Sequence, residues 1–466
     1  MGGRAGLCRR MDRDRTSRPL FLAFRTRRQP RCADCALFAR KPGTCRPFRD
    51  HDRDRLHQAP CQYQPAAERH RKQDRSQGMK QGANPKTGIR LSDRQRLNWL
   101  RLIRTDNIGA VTFRDLILFC GSASNALEML PDLNIRGGSA RPIRIISVDE
   151  AERELEAIER MGARLIGMGE PEYPPQLKNC EAPPPLVIIK GDPGVFRKPP
   201  VAIVGSRNAS VVGARFTEKL AHDLGSEGFC VVSGLARGID AAAHKASLST
   251  GTAAVLAGGL DRPYPPENLP LYRAIPENGG ALITEMPMGA EPRSRDFPRR
   301  NRIIAGLSLG LIVVEAAERS GSLISARMAG EMGRTVFAVP GSPLDPRARG
   351  TNLLLKQGAT LVTGVEDVIE TLLPLIRPAD PAGDEPEQPD LLAQIDEEPE
   401  QLQAITTDRE RDLVIDALGP VPVDVDTLVR HTGIETDAIQ LILLELDLAG
   451  RLLRYPGNRV AIVPCD

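Results

Sequence analysis

The chain has 466 residues, 41% hydrophobic and 26% charged, with a formal net charge of +3. That length suggests about three domains, and the ordinary balance of apolar and charged residues excludes a fibrous or wholly disordered chain. The longest clean apolar runs, Leu311–Val314 and Leu441–Leu444, fall far short of the roughly 20 residues that span a bilayer, so no transmembrane segment and no membrane partner are expected.

The charge is unevenly placed. Residues 1–78 hold 18 Arg, 2 Lys and 8 acidic residues, a balance of +12, so the remainder carries −9. Five of the nine cysteines (Cys8, Cys32, Cys35, Cys45, Cys61) lie in the same segment. No helical or strand period runs through it. The apolar stretch Pro19–Phe24 is too short for a signal peptide. A zinc module on Cys32, Cys35, Cys45 and His51 has one Cys-x-x-Cys half and no second half at ordinary spacing. The segment therefore reads as a disordered Arg-rich arm or as translated upstream sequence, with Met79 as the expected true start. The remaining cysteines, Cys120, Cys180, Cys230 and Cys465, do not form a disulfide framework, which suits a reducing cytoplasm.

Residues 91–166 form the first predicted module, and it is helical. Leu97, Leu100 and Ile103 recur at helical spacing, Ile108-Gly109 interrupts, and a second helix ends at Cys120-Gly121-Ser122. Helix, glycine turn, helix is the pattern of a helix-hairpin-helix unit, whose turn can offer backbone N–H groups to phosphate. A plain packing module explains the same pattern. Residues 171–200 are rich in proline, which lacks the N–H that a helix or inner strand needs, and read as a structured connector.

The second module, residues 171–375, alternates short β-rich runs with helical segments. The runs are Val201–Val204, Phe229–Val232, Ala253–Leu256, Ala281–Ile283, Leu311–Val314, Val336–Val339 and Thr360–Val362. Alternation of this kind predicts a parallel α/β sheet with helices on both faces. Its ligands are expected at the carboxyl ends of the strands. Glycine or serine turns stand there: Gly205-Ser206-Arg207, Ser233–Gly238, Gly258-Gly259, Ser320-Gly321-Ser322 and Pro340-Gly341-Ser342. Several such turns on one edge imply a site for a polyanion. The turn after the first strand lacks Gly-x-Gly-x-x-Gly, and no Gly-x-x-x-x-Gly-Lys-Ser/Thr occurs, so neither a dinucleotide nor a P-loop ATP cofactor is expected.

The segment Glu291–Arg302 sets five arginines around Phe297. Arginine can meet phosphate while the ring stacks a base, which suits single-stranded nucleic acid; a solvated basic loop with Phe297 in the core fits equally well. Catalytic constellations are thin. His222 and His244 sit on expected helices outside any metal-ligand spacing, Asp240 reads as a helix N-cap, and Glu285 and Glu315 read as structural or loop-positioning carboxylates. Residues 376–404, rich in Pro, Asp, Glu and Gln, form an acidic linker. Residues 408–466 predict three helices and a hairpin, a winged-helix pattern. Its third helix is apolar and poor in basic residues, so a structural or partner-binding role is at least as well supported as DNA reading.

The motifs Val201–Arg207 (VAIVGSR), Ser233–His244 (SGLARGIDAAAH), Phe297–Gly306 (FPRRNRIIAG), Glu315–Arg327 (EAAERSGSLISAR) and Gly350–Gly358 (GTNLLLKQG) resemble the DNA-processing protein A family, DprA/Smf. The resemblance runs from about residue 91 to the end and is densest over 170–373. It implies an extended Rossmann-like core, a helical N-terminal module and a winged-helix tail. It also implies a non-enzymatic protein that binds incoming single-stranded DNA in natural transformation, loads the RecA recombinase onto it, and forms a homodimer through the Rossmann-like domain. Carried onto this chain, Gly205, Ser206 and Arg207 would meet the DNA backbone. Phe297, Arg299, Arg300, Asn301 and Arg302 would add a stacking and charge surface, with Arg237 and Lys356 as further candidates. The −9 balance after residue 78 stands against this, since DNA binders are usually basic. Two other readings are a nucleotide-monophosphate enzyme on a related Rossmann-like fold and a ligand-responsive winged-helix regulator. The first lacks the Pro-Gly-Gly-x-Gly-Thr-x-x-Glu signature, and the apolar third helix weighs against the second. Deleting residues 1–78 is expected to leave folding and DNA binding unchanged, checked by denaturation and oligonucleotide titration of the two chains. Loss of RecA loading on deletion would show that the arm has a role.

Overall fold

The computed structural model describes residues 90–139, 141–180, 182–376 and 406–463. The expectations for residues 1–78, with their cysteines and His51, and for the linker beyond Ile376 lie outside the described residues. Among the described residues no helix is long and apolar enough to cross a membrane.

The N-terminal module is four helices: α1 (Asp93–Ile103), α2 (Ala110–Cys120), α3 (Ala123–Arg136) and α4 (Val148–Arg160). Ser92 and Ser147 each open a helix with a reciprocal capping box, to Gln95 and Glu150. Trp99 meets Phe113 edge to face at 5.1 Å, in a core with Leu100, Leu102, Leu116 and Leu130.

A nine-stranded sheet follows. Its strands are β1 (Ala163–Gly167), β2 (Leu186–Gly191), β3 (Pro200–Val204), β4 (Cys230–Ser233), β5 (Thr252–Val255), β6 (Ala281–Thr284), β7 (Gly310–Val313), β8 (Thr335–Ala338) and β9 (Thr360–Leu361). The order is β1-β2-β6-β5-β4-β3-β7-β8-β9. All seven runs read from the sequence are strands, and they pair in parallel. β1 and β2 were not foreseen, and they pair antiparallel, β2 on β6 and β1 on β2. The proline-rich connector therefore contributes a strand to the sheet. Its prolines flank β2 and leave the interior Leu186–Gly191 free to pair.

The intervening helices are α5 (Pro175–Lys178), α6 (Val211–Ser226), α7 (Ile239–Ala246), α8 (Leu269–Glu277), α9 (Asp296–Leu307), α10 (Gly321–Glu331), α11 (Arg349–Lys356) and α12 (Val365–Ile376). Strand alternation sends side chains to two separate cores. Val201 and Ile203 of β3 pack with Leu220 and Leu224 of α6 and Leu372 of α12. Ala202 and Val204 join the other face, with Ile303 and Ile304 of α9. Burial on both sides explains why these strands read as unbroken apolar runs.

The last domain is α13 (Asp408–Ala417), α14 (Val425–Thr432), α15 (Thr436–Leu448) and a small sheet of β10 (Val423–Asp424), β12 (Arg459–Ile462) and β11 (Leu452–Tyr455). It is a winged helix. Ile439, Ile442, Leu443 and Leu446 of α15 fill its own core, while Leu441, Leu444 and Leu448 join the core of the N-terminal module. That double burial accounts for an apolar third helix. Polar bonds finish the contact: Thr112 Oγ1 donates to Asp447 at 2.9 Å and Asn107 Nδ2 to the Leu448 carbonyl at 3.0 Å.

His244 of α7 lies fully buried, its Nδ1 2.7 Å from Thr252 Oγ1. Burial, helped by the nearby Arg300 charge, pushes its pKa from 6.5 down to about 3. The folded state then holds a neutral imidazole where the unfolded chain takes up a proton. Stability is complete above pH 6.5 and declines as pH falls toward about 3, with a limiting slope of about 1.4 kcal/mol per pH unit. Urea midpoints are expected to fall between pH 6.5 and 5, ahead of most carboxylate titration. His244→Gln should be less stable at neutral pH yet lose less over that interval.

Candidate nucleic-acid interface

Two loops at the carboxyl ends of β3 and β4 build the site. After β3 the chain turns through Gly205-Ser206-Arg207, and the Ser206 carbonyl accepts the Ile239 N–H at 3.2 Å. After β4, Ser233 Oγ donates to the Ile203 carbonyl at 2.6 Å. The chain then enters α7 through Gly238, at φ 75° and ψ −121°. A side chain there would be strained, and its Cβ would collide with the Ser206 carbonyl oxygen. Glycine thus lets the two loops touch.

Asp240 holds the second loop from beneath. Its carboxylate accepts the Gly234 N–H at 3.2 Å and the Ala236 N–H at 3.3 Å. The N-cap position belongs to Gly238, so the N-cap expectation for Asp240 is corrected: it braces the loop from the second position of the helix. From outside, Asn268 Nδ2 donates to the Leu235 and Ala236 carbonyls at 2.8 and 3.0 Å.

Arg300 was expected in a surface run with Arg299 and Arg302. It is buried instead, 6% exposed, and its Nη1 donates to the Val255 carbonyl at 3.0 Å. A Cβ on Gly234 would overlap that nitrogen, so glycine is what admits the guanidinium under the loop. Burial pushes the Arg300 pKa from 12.5 down to about 10, against the pull of Asp240. Burial also raises the Asp240 carboxyl above its usual range, opposed by Arg300 and by the two loop N–H groups. The Arg300 guanidinium and the Asp240 carboxyl therefore lie together under the loops.

Above them is a shallow recess lined by Arg207, Gly234, Ala236, Arg237, Tyr264, Pro265 and Phe297. The Arg207 guanidinium sits over the Phe297 ring, 5.0 Å from its centroid, and Arg300 lies 5.9 Å from the same ring. Tyr264 meets Phe297 edge to face at 5.9 Å and is 48% exposed. Arg237 stands at the rim, 3.7 Å from Glu267. Cation over ring is favourable by about 0.5–1 kcal/mol at exposed sites. The recess pairs an aromatic face with two solvent-exposed cations, which matches the needs of a base and its phosphate.

The recess thus gathers Arg207, Arg237 and Phe297 from the expected set, with Gly205 and Ser206 in the supporting turn. Arg299 and Arg302 lie elsewhere: both pair with Glu285, at 2.7 and 2.6 Å. Asn301 Nδ2 lies 3.5 Å from the Gly321 carbonyl. Lys356, on the last turn of α11, is exposed and does not line the recess. Among the glycine turns, those after β3 and β4 reach it; Gly258 packs against the Ala290 carbonyl. Ser210 caps α6, its Oγ accepting the Gly213 N–H at 2.8 Å, and Glu315 holds that cap by accepting from the Ser210 N–H and Oγ at 2.9 and 2.5 Å. Tyr264 was missed, although an aromatic in the run Pro263-Tyr264-Pro265-Pro266 after the Gly258-Gly259 turn was a readable signal. Gly238→Ala is expected to cost about 1–3 kcal/mol through backbone strain. The urea midpoint of the variant should fall at unchanged slope.

Three family models match the chain in order. They are a DprA-like N-terminal HHH domain over residues 93–157, DNA recombination-mediator protein A over 164–373, and a DprA winged helix domain over 398–458. Protein Smf of Escherichia coli K12 is 37% identical over 311 residues, covering 66% of this chain and 79% of that protein. DNA processing protein DprA of Streptococcus pneumoniae R6 is 46% identical over 199 residues, covering 42% of this chain and 70% of that protein. A solved structure of DNA processing protein A from Helicobacter pylori, described for its single-stranded DNA binding mode, matches at 29% identity and a TM-score of 0.41, covering 46% of this chain and 96% of that one. With its three modules in this order, and 37% identity across 79% of Protein Smf, the chain belongs to the DprA/Smf family.

Proposed function

We propose that this protein is a single-stranded DNA-binding recombination mediator, and that DNA enters at the recess between the β3 and β4 loops. The observation that carries the reading is the Phe297 ring, with the exposed Arg207 5.0 Å and the buried Arg300 5.9 Å from its centroid. A base that stacks on Phe297 takes the place of the Arg207 guanidinium. The guanidinium then swings to the phosphate of the same nucleotide. Arg237 and Tyr264 at the rim supply a second cation and a second ring. Nothing in this set donates or accepts selectively toward one base edge, so the binding is tolerant of sequence. Family membership supports the wider role: protection of incoming DNA in natural transformation, RecA loading, a cytoplasmic site of action and a homodimer through the Rossmann-like domain.

Two features weigh against the other readings. In an open α/β sheet a nucleotide phosphate sits at the helix start beside the switch point, here between β3 and β7. The Glu315 carboxylate already occupies the start of α6. A duplex-reading winged helix needs a basic exposed face on its third helix; α15 has no basic residue, and its exposed positions are Thr436, Asp437 and Gln440.

Binding is tested by fluorescence anisotropy of a labelled single strand of about 30 nucleotides over a salt series, with duplex as competitor. Single-strand preference is expected, with log affinity falling by about 0.7 per neutralised phosphate for each tenfold rise in salt. Arg207→Ala should weaken binding at least several-fold and lower that slope, with an unchanged melting curve. Phe297→Ala should lose about 1–3 kcal/mol with little change in slope. Duplex preference, or an Arg207→Ala variant that binds like the parent, would overturn the assignment.

A further inference from the structure

A second groove lies on the other side of the start of α9. Its volume is about 790 Å³. Three parts of the chain wall it: the turn between α1 and α2, the segment Glu285–Pro287 after β6 with one face of α9, and the wing strand β11. Phe297 faces the recess, whereas Arg295, Arg299 and Arg302 face this groove. Arginines at these positions follow one another at helical spacing and so share a face.

Arg104, Arg295, Arg299, Arg302 and Arg454 line the groove with the carboxylates of Asp106, Glu285 and Asp447. Arg104 is answered by Glu154, and Arg454 by Asp115 and Asp447, so the accessible positive charge of the groove is that of Arg295 and Arg299. Glu285 alone answers both Arg299 and Arg302, so that cluster keeps a positive charge. The side chains of Arg295 and Arg299 remain 77% and 51% exposed. The floor adds a polar surface. Asn107 takes a left-handed φ of 61°, and the turn delivers the chain to α2 at Gly109, with no side-chain cap and no acidic residue in the first turn. The N-terminal end of α2 opens into the groove, where Asp447 already accepts from Thr112 of its first turn.

The groove and the recess are linked. Arg293, Ser294 and Arg295 form an exposed turn leading into α9, and Arg295 of the groove stands two residues before Phe297 of the recess. We propose that the groove is a second backbone subsite, which holds the phosphates of the continuing single strand by charge alone. This rests on the single-stranded DNA reading above. It gives the N-terminal helical module a share in the binding path through the turn before α2, which faces Arg295 and Arg299 at the start of α9 across the groove. The groove carries no exposed aromatic ring among its lining residues, so it contributes phosphate contacts without stacking.

The test is anisotropy with the full chain and oligo-dT strands of about 6, 12, 20 and 30 nucleotides, at several salt concentrations. The parent protein is compared with Arg295→Glu, and with Arg299→Gln as a second variant. For the parent, affinity and salt slope should both rise with length until the second subsite is filled. Arg295→Glu should bind the shortest strand like the parent and the longer strands at least several-fold more weakly. Its salt slope on long strands should fall by about 0.7 for each phosphate that the variant leaves unneutralised. Arg299→Gln should show the same length dependence to a smaller degree. Equal weakening at every length, or parental affinity at every length while the parent binds, would overturn the second subsite and leave the recess standing. Failure of the parent to bind any single strand would overturn the recess reading and the groove with it.

Discussion

A positive charge buried under a glycine turn organises this molecule's surface. Arg300 is out of water, bonded to the Val255 carbonyl and pressed against Gly234. Desolvation of a guanidinium is costly, and its neighbours lower that cost: Asp240 faces it, and the Phe297 ring presents its electron-rich face to it. The same neighbours shape the site. Asp240 reaches the Gly234 and Ala236 N–H groups, and Phe297 is held where Arg207 can cover it. The Arg300 guanidinium below the loops and the exposed Arg207 and Arg237 above them carry one sign, with Asp240 as the buried counter-charge.

Around this centre the modules are joined by polar bonds at the ends of elements. Arg104, which closes α1, pairs with Glu154 of α4 at 2.9 Å and donates to the Glu285 carbonyl at 3.1 Å, beyond β6. Glu285 in turn takes Arg299 and Arg302 of α9. One connected set of charges thus spans the helical module, the sheet edge and the helix that carries Phe297. Pairs of this kind contribute little when exposed. Here they are partly buried, and they determine which arginines stay available: Arg295 and Arg299 keep much of their exposure, while Arg302 keeps 21%.

The site was partly legible in the chain. Gly205-Ser206-Arg207 after an apolar strand and Phe297 among arginines stood out because turn chemistry and composition are local. The fates of Arg299, Arg300 and Arg302 were not legible. Consecutive helical residues point about 100° apart, so a run that looks like one patch is dealt to two surroundings, and only packing says which is core. Tyr264 joins Phe297 from more than thirty residues away in sequence, through a turn whose position depends on β5 and α8. The overall charge does not report on the recess for a related reason. It sums over the chain, whereas an incoming phosphate responds to charges within about a Debye length.

The sequence by itself determined the alternation of strand and helix, the parallel central sheet and the winged-helix tail, because these follow from hydrophobic period and turn residues. It also carried the family motifs. Tertiary structure alone decided the antiparallel pair β1 and β2 at the sheet edge, since pairing partners across intervening modules leave no local signal. It decided that α15 is buried against α2 and α3, with its apolar residues divided between two cores. It also decided that Arg300 is a support and Arg207 a surface contact. Both are arginines beside glycine-rich loops. What separates them is which one the folded chain closes away from water.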